Sequence, residues 1–360
     1  MLRDEVCRML DLAHVESALR SQAQACDAMG SPLYGFILDR LARGDDGGGV
    51  LKLLATRPAD EDLIASAIVL RMMASVHQLA LTNNAPSLAA HYPSCGGDGD
   101  AAAVWVAFIE TFAKHEETIT RDLSAPVQTN EVGRAAALLG GFLLVAERYG
   151  LPLRLLEVGA SAGLMLQWDR FRYETEKWSW GPADSRVRLI EQLAYRMPFS
   201  RNVRVDICER AGCDVAPINP ATEFGKRRLL SFVWPDQRER LIRLAAACDV
   251  ARKYPVAIER AHAWPWLTKQ LAATRSGVVT VVFHTVVQQY LDPSERIGLS
   301  ETIAEAGERA TPDAPLVYLT LEPQPRRVAN VLLRLWPGNC ELELASASLH
   351  GSNVEWLYVP

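Results

Sequence analysis

The chain has 360 residues, of which 49% are hydrophobic and 22% are charged, and its formal net charge at pH 7 is −5. This composition excludes intrinsic disorder, and the length exceeds what one hydrophobic core usually organises, so we expect one large α/β domain with a substantial helical lobe. Acidic and basic residues form no long block of one sign, which argues against a nucleic-acid partner.

The seven cysteines are scattered and include no C-x-x-C pair, so the sequence predicts neither a disulfide framework nor a metal site. No stretch approaches the roughly 18 uncharged apolar residues of a membrane span, and the N-terminus lacks the apolar core of a signal peptide. We therefore expect a reduced, cytoplasmic protein without a membrane partner.

The first 149 residues show helical periodicity and almost no strand signal. Apolar residues recur every three to four positions in five segments: 3–27, from Ser31-Pro32 onward, 60–81, 100–121 and 131–149. Gly150 and Pro152 mark the end of the last helix. The sequence therefore predicts an N-terminal all-helical lobe, a cap domain over residues 1–125.

From Leu153 onward, apolar runs typical of strands alternate with helical segments. Strands are predicted at 153–158, 203–207, 256–258, 278–283, 316–321, 340–346 and 354–358, and helices at 162–171, 235–252, 264–273 and 294–309. This alternation predicts a Rossmann-like, seven-stranded, mostly parallel sheet over residues 126–360 with an antiparallel edge. A hairpin insertion is expected near 173–189, which is rich in aromatic and turn residues.

The turn after the first predicted strand carries the functional argument. It reads Glu157-Val158-Gly159-Ala160-Ser161-Ala162-Gly163. The first glycine permits a tight turn, the last allows close packing of the next helix, and the small residues let the backbone approach a ligand. A carboxylate at Glu157 suits a ligand with a cationic end and would repel a pyrophosphate, which favours S-adenosylmethionine over NAD as the cofactor.

Two later segments supply further site residues. Asp214 is expected to accept hydrogen bonds from the ribose hydroxyls of the cofactor, although Asp206 competes for this role. The buried run 278–283 ends in polar residues, so His284, Gln288 and Tyr290 are predicted to line the pocket. A hydrogen-bonded core histidine is the structural alternative for His284.

Five sequence blocks occur in order along the chain: VQTNEVGRAAALL, LLEVGASAGL, SFVWPDQRERLIRLAAA, VVFHTVVQQYL and LWPGNCELELASASLHG. In order and spacing they are similar to the bacterial family catalogued as domain of unknown function 2332, over essentially the whole chain. The resemblance implies a class I methyltransferase-like fold but no particular reaction. Where the family has Gly-Asp-Ala, whose aspartate would approach the adenine, this chain has Ala261-His262-Ala263. His262 therefore stands at the expected adenine contact.

We therefore expect a methyltransferase that acts on a small-molecule acceptor; the sequence identifies neither the acceptor nor the oligomeric state. The predicted acceptor pocket comprises Asn130, Arg134, Asp236, Gln288 and Tyr290. If the acceptor loses a proton, His284 is the first candidate for the general base and His350 the second.

Two other functions fit parts of the same pattern. The turn also reads as G-x-S-x-G, the nucleophile elbow of serine hydrolases, with Ser161 as nucleophile, Asp236 or Glu322 as acid and His350 as base. The helical character of the preceding 150 residues and the charge of Glu157 argue against this alternative. A non-catalytic ligand-binding protein on the same scaffold is the third possibility.

Overall fold

The structure is a computed structural model that describes residues 10–58, 61–190, 203–324 and 328–358. Its chain divides into two compact units. The first comprises Met1–Thr129 and Lys226–Ile242, and the second comprises Asn130–Gly225 and Arg243–Pro360. The sequence assigned residues 226–242 to the C-terminal domain, whereas the structure groups them with the N-terminal unit.

The first unit is built from helices. Their bounds are α1 Leu12–Ala28, α2 Pro32–Ala42, α3 Gly49–Ala55, α4 Ile68–Leu81, α5 Pro86–Ala89, a 3₁₀ helix Pro93–Cys95 and α6 Ala101–Asp122. The helix predicted over 60–81 begins only at Ile68, because Ala67 has a left-handed backbone with φ of 52°. Fully buried side chains such as Leu38, Val76 and Phe108 form the core of this unit.

The returning segment of the first unit contacts its helices through a Trp-Pro-Asp-Gln sequence. Trp234 belongs to the apolar core of the helices. Asp236 accepts hydrogen bonds from Ser31 Oγ at 2.5 Å and from the Leu33 N–H at 3.1 Å, at the N-terminus of α2. Asp236 therefore caps a helix, and this role replaces the predicted role in an acceptor pocket.

The second unit contains a mixed sheet that, in the described residues, has eight strands. They are β1 Leu153–Val158, β5 Ile207–Asp214, β6 Ile258–Arg260, β7 Val279–Thr285, β8 Leu316–Gln324, β9 Val328–Trp336, β10 Cys340–Ser348 and β11 Glu355–Trp356. Their order across the sheet is β11-β10-β9-β8-β7-β1-β5-β6. Pairing from β6 to β8 is parallel, and pairing from β8 to β11 is antiparallel.

The expectation of seven mostly parallel strands was therefore wrong in its detail. The chain is an α/β protein with a helical N-terminal region, but its sheet is mixed. The strand predicted at 203–207 was placed too early, since it shares only Ile207 with β5. Strand β9 was not predicted at all, although Ala329, Val331, Leu333 and Leu335 are buried at alternate positions in it. This period of two is the signal that would have revealed it.

Helices cover both faces of the sheet. On one face Gly141 of helix α7 (Arg134–Tyr149) lies against Leu319 and Leu344. On the other, α10 (Ala263–Gln270) and α11 (Pro293–Glu308) pack on alternate residues of the strands, including Leu156 and Val282. The remaining helices are α8 Glu223–Ser231 and α9 Arg238–Lys253.

The segment after β1 differs from the predicted helix over 162–171. It contains a 3₁₀ helix, Met165–Arg170, whose Leu166 carbonyl accepts a hydrogen bond from Arg210 of β5. Arg210 also bonds both oxygens of Asp169 at 2.7 and 2.8 Å. In the segment where a hairpin was predicted, the described strands β2 (Arg172–Glu174), β3 (Ser179–Trp180) and β4 (Arg188–Leu189) form a small sheet.

Candidate functional site

The C-terminal ends of the parallel strands lie along one edge of the sheet. Strands β5 and β7 flank β1, so the chain order of the strands reverses on the two sides of β1. Open α/β sheets bind ligands in the crevice outside the C-terminal ends of the strands at such a reversal. The small-residue turn that follows β1 lies at this point.

This turn, which we call the glycine turn, runs from Gly159 to Gly163. Its backbone is left-handed at Gly159 (φ 64°), Ser161 (φ 52°) and Gly163 (φ 68°). Glycine adopts this conformation without strain, whereas Ser161 adopts it at a cost. Ala160 and Ala162 are buried, but Gly159 and Ser161 are only half-buried, so part of the turn backbone is open to a ligand.

Asp214, at the end of β5, holds the glycine turn in place. One carboxylate oxygen accepts the Ser161 N–H at 2.9 Å, and the other accepts the Ala216 N–H at 2.8 Å. Asp206 is exposed and precedes β5, whose first residue is Ile207. It therefore lies at the opposite edge of the sheet, and Asp214 is the acid beside the glycine turn.

Glu157 lies in β1 just before the glycine turn and is 4% exposed. Its Oε2 is enclosed and has no hydrogen-bond partner among the described residues. Burial, together with the nearby charge of Asp214, raises the pKa of Glu157 well above its usual range. The raised pKa weakens the sequence argument that Glu157 presents a fixed negative charge to a ligand.

Asn130 and Arg134 both contact this edge of the sheet. The Asn130 side chain donates to Ser161 Oγ and accepts the Ala162 N–H at 3.4 Å. Arg134 donates to the Leu349 carbonyl at 2.9 Å and to the Thr285 carbonyl at 3.3 Å. Asn130 thus belongs to the glycine turn, whereas Arg134 joins β7 to the turn after β10.

His350 lies in that second turn and is half-buried. Its carbonyl oxygen packs on Gly133, where a Cβ atom would approach it to 2.4 Å. This contact is structural. The role of the His350 side chain as a base stays a prediction.

His284 does not have the surroundings of a general base. It is fully buried, with Nδ1 at 2.6 Å from Glu322 Oε1 and Nε2 at 2.6 Å from the Tyr318 hydroxyl. Because Glu322 accepts at Nδ1, the neutral ring carries its proton there and Nε2 accepts from Tyr318. Both ring nitrogens are therefore engaged within the sheet, and the predicted catalytic role of His284 gives way to a structural one.

The other predicted pocket residues are at the surface. Gln288 and Tyr290 form an exposed 3₁₀ turn after β7, and Tyr290 is 41% exposed. His262 is exposed beyond β6, and its Nδ1 lies 3.6 Å from Glu295 Oε1. Both positions are at the C-terminal edge of the sheet.

Sequence analysis missed the role of two residues at the end of β7. Val286 has a left-handed backbone with φ of 55°, which is exceptional for a β-branched residue, and Val287 packs on Gly159. Nothing in a run of apolar residues signals such a bend. Strained residues of this kind cluster at functional sites.

A comparison with protein families agrees with the resemblance seen in the five sequence blocks. A family model described as "Uncharacterized protein conserved in bacteria (DUF2332)" matches residues 16–356. The chain belongs to this family. Neither the curated proteins nor the solved structures include a match to the chain.

In this DUF2332 member, both acids considered for a serine hydrolase triad have other partners. Glu322 is bonded to His284 and to the Val287 N–H rather than to His350. Asp236 is engaged at the N-terminus of α2. Ser161 Oγ accepts a hydrogen bond from Asn130.

Within the described ranges, no group of three or more His, Cys, Asp or Glu side chains is placed to hold a metal ion. No helix in that part of the chain is long and apolar enough to cross a bilayer.

Proposed function

We propose that this chain binds S-adenosylmethionine at the glycine turn and transfers its methyl group to a small-molecule acceptor. The observation that carries the proposal is the position of Asp214: its carboxylate lies at the end of β5, hydrogen-bonded to the Ser161 N–H, where the strand order reverses. An acid at this position suits a ligand with a ribose, because vicinal hydroxyls donate to a carboxylate.

The order of the parallel strands supports the same proposal. In chain order they are arranged 3-2-1-4-5, counting only β1, β5, β6, β7 and β8. Doubly wound nucleotide-binding sheets have this arrangement, with the ligand at the reversal beside the first strand. The half-exposed backbone of Gly159 and Ser161 would allow an adenosyl group to approach closely.

Residues of this chain would hold the cofactor and exclude water. S-adenosylmethionine supplies an electrophilic methyl group on a sulfonium, so alignment of donor and acceptor is the main requirement. Asp214 and the glycine turn would orient the adenosyl part. The exposed 3₁₀ turn Gln288–Tyr290 and His262 would contribute to the rim on the acceptor and adenine sides.

Ligand-dependent thermal unfolding tests the proposal. S-adenosylhomocysteine at 100 times its Kd should stabilise the protein by about 2.7 kcal/mol, whereas NAD should not stabilise it. Asp214→Asn should weaken S-adenosylhomocysteine binding at least about tenfold, because the amide removes one acceptor beside the ribose site. Asp206→Asn is the matched control, since it changes an exposed aspartate of the same strand region at the opposite edge.

Absence of stabilisation by millimolar S-adenosylmethionine and S-adenosylhomocysteine would contradict the proposal, and so would equal losses in the two variants. A serine-reactive fluorophosphonate probe serves as a second arm. Labelling at Ser161 would favour the hydrolase alternative. An unlabelled protein stabilised by neither cofactor would favour a binding protein for a different ligand.

A further inference from the structure

A chain of hydrogen bonds lies at the end of β7. Glu322 Oε1 accepts from His284 Nδ1 at 2.6 Å and from the Val287 N–H at 2.9 Å. The Tyr318 hydroxyl lies 2.6 Å from His284 Nε2. The imidazole of His284 and the Val287 N–H are therefore both bonded to one carboxylate oxygen of Glu322.

Strand register explains why these side chains meet. His284 pairs with Thr320 of the neighbouring parallel strand β8. Tyr318 and Glu322 lie two residues before and after Thr320, so all three β8 side chains share a face with His284. The imidazole therefore lies between the phenol and the carboxylate, and each ring nitrogen has one partner.

This network holds a strained bend. Val286 has φ of 55°, a conformation that β-branched residues strongly disfavour, and its N–H bonds the Leu321 carbonyl at 2.9 Å. A strained bend persists only when surrounding contacts determine it. The hydrogen bond from the Val287 N–H to Glu322 is such a contact, and because its acceptor is a carboxylate it is stronger than a bond to a neutral oxygen.

The bend also packs closely against the glycine turn. A Cβ atom at Gly159 would lie 2.7 Å from Val287 Cγ2 and 3.2 Å from Val287 Cγ1. Only glycine leaves room for this side chain. The position of Val287 therefore restricts the backbone at the first residue of the glycine turn.

We propose that Glu322 and His284 form a clamp that holds the Val286–Val287 bend against Gly159, so that the acceptor side of the site and the glycine turn are ordered together. His284 and Glu322 are positioning residues in this arrangement. The link to a ligand rests on the proposed function; the mechanical link between the two turns does not.

Amide hydrogen exchange tests the clamp in the full chain. Glu322→Gln keeps an oxygen for both donors but removes the negative charge, so exchange should become about tenfold faster over residues 286–290 and also over 159–163. Tyr318→Phe removes only the outer bond and should give a smaller increase in both segments. It keeps the test available if Glu322→Gln folds poorly.

Val331→Ala is the matched control, since it shortens a fully buried side chain of β9 in the same sheet. It should lower the stability of the unit without selective acceleration at 159–163. The proposal is overturned if Glu322→Gln accelerates residues 286–290 while 159–163 stay unchanged, or if Val331→Ala accelerates both segments equally.

S-adenosylhomocysteine affinity is measured separately on the same proteins. If the wild-type protein binds S-adenosylhomocysteine, Glu322→Gln should bind it several-fold more weakly, with the same number of ligand molecules per chain at saturation. Val331→Ala should bind it as the wild type does. If the wild-type protein does not bind this probe, the proposed function fails, and the exchange data alone still decide whether the clamp exists.

Discussion

Val287 packs so closely on Gly159 that any side chain at position 159 would overlap it. A Cβ atom there would lie 2.7 Å from Val287 Cγ2, and the backbone of Gly159 is left-handed with φ of 64°. The ends of β7 and β1 are therefore in direct contact at the reversal of strand order. Two separate physical effects, conformational strain and overlap, make glycine necessary at this position.

Gly159→Ala should lower the free energy of unfolding by about 1–2 kcal/mol from left-handed strain and by about 1–3 kcal/mol more from overlap. Val287→Ala removes the methyl groups that a Cβ atom at position 159 would overlap. The double variant should therefore lose at least about 1 kcal/mol less free energy of unfolding than the sum of the losses in the two single variants. Urea denaturation of all variants measures this coupling.

Gly163→Ala, alone and combined with Val287→Ala, is the control for this set of single and double variants. Gly163 is also left-handed, but its Cβ atom would meet Ile258 Cδ1 at 2.7 Å instead of Val287. The stability lost in Gly163→Ala should therefore simply add to the stability lost in Val287→Ala when both substitutions are combined. Equal coupling in both pairs would show that Val287 does not act on Gly159 specifically.

Glu157→Gln should stabilise the protein, increasingly so as the pH rises. Burial raises the pKa of Glu157 above its unfolded value of 4.5. The stability that Glu157 contributes is therefore complete below about pH 4.5 and is lost as the pH rises through the pKa of the folded state. Glutamine does not titrate, so the variant keeps its stability over this range. Thermal unfolding from pH 5 to 8 should show the difference in Tm growing; Glu301→Gln, on an exposed part of α11, should show none.

His77 should make the helical unit sensitive to acid. It is fully buried, with Nδ1 at 3.1 Å from the Ser231 carbonyl and Nε2 at 2.8 Å from Ser94 Oγ, and burial lowers its pKa from 6.5 to about 4. Its contribution is present above pH 6.5 and is lost as the pH falls toward 4, by about 3 kcal/mol at 1.36 kcal/mol per pKa unit.

His77→Gln should flatten this acid dependence, because the glutamine amide can donate and accept but does not titrate. The free energy of unfolding by urea between pH 4 and 7 is the measurement. His14→Gln replaces an exposed histidine of the same unit and should leave the wild-type pH dependence intact. An identical slope for wild type and His77→Gln would show that His77 does not control it.

Asp236→Ala should destabilise the helical unit by about 0.5–2 kcal/mol, the usual cost of losing a helix cap. The variant removes the acceptor for Ser31 Oγ and for the Leu33 N–H. Asp236→Asn keeps one carbonyl acceptor and should lose less. Circular dichroism during urea unfolding measures both, with the exposed Glu117→Ala of α6 as the control. A loss of stability in Asp236→Asn that equals or exceeds the loss in Asp236→Ala would contradict a capping role.

Local pattern accounts for the parts of the fold that were predictable. Helical periodicity before residue 150 and the apolar run Leu153–Val158 record which side chains are buried, because burial repeats with the period of the element. The glycine turn was recognisable for the same local reason: left-handed backbone favours small residues, and the two glycines of the turn lie only four positions apart in the sequence.

The sequence by itself thus determined the two classes of secondary structure and the place of the glycine turn. Only the tertiary structure decided that His284 bonds Glu322, 38 residues away, and that Asp236 bonds Ser31, 205 residues away. Such partners are set by strand register and by the return of residues 226–242 to the helical unit, and neither leaves a periodic trace in the chain.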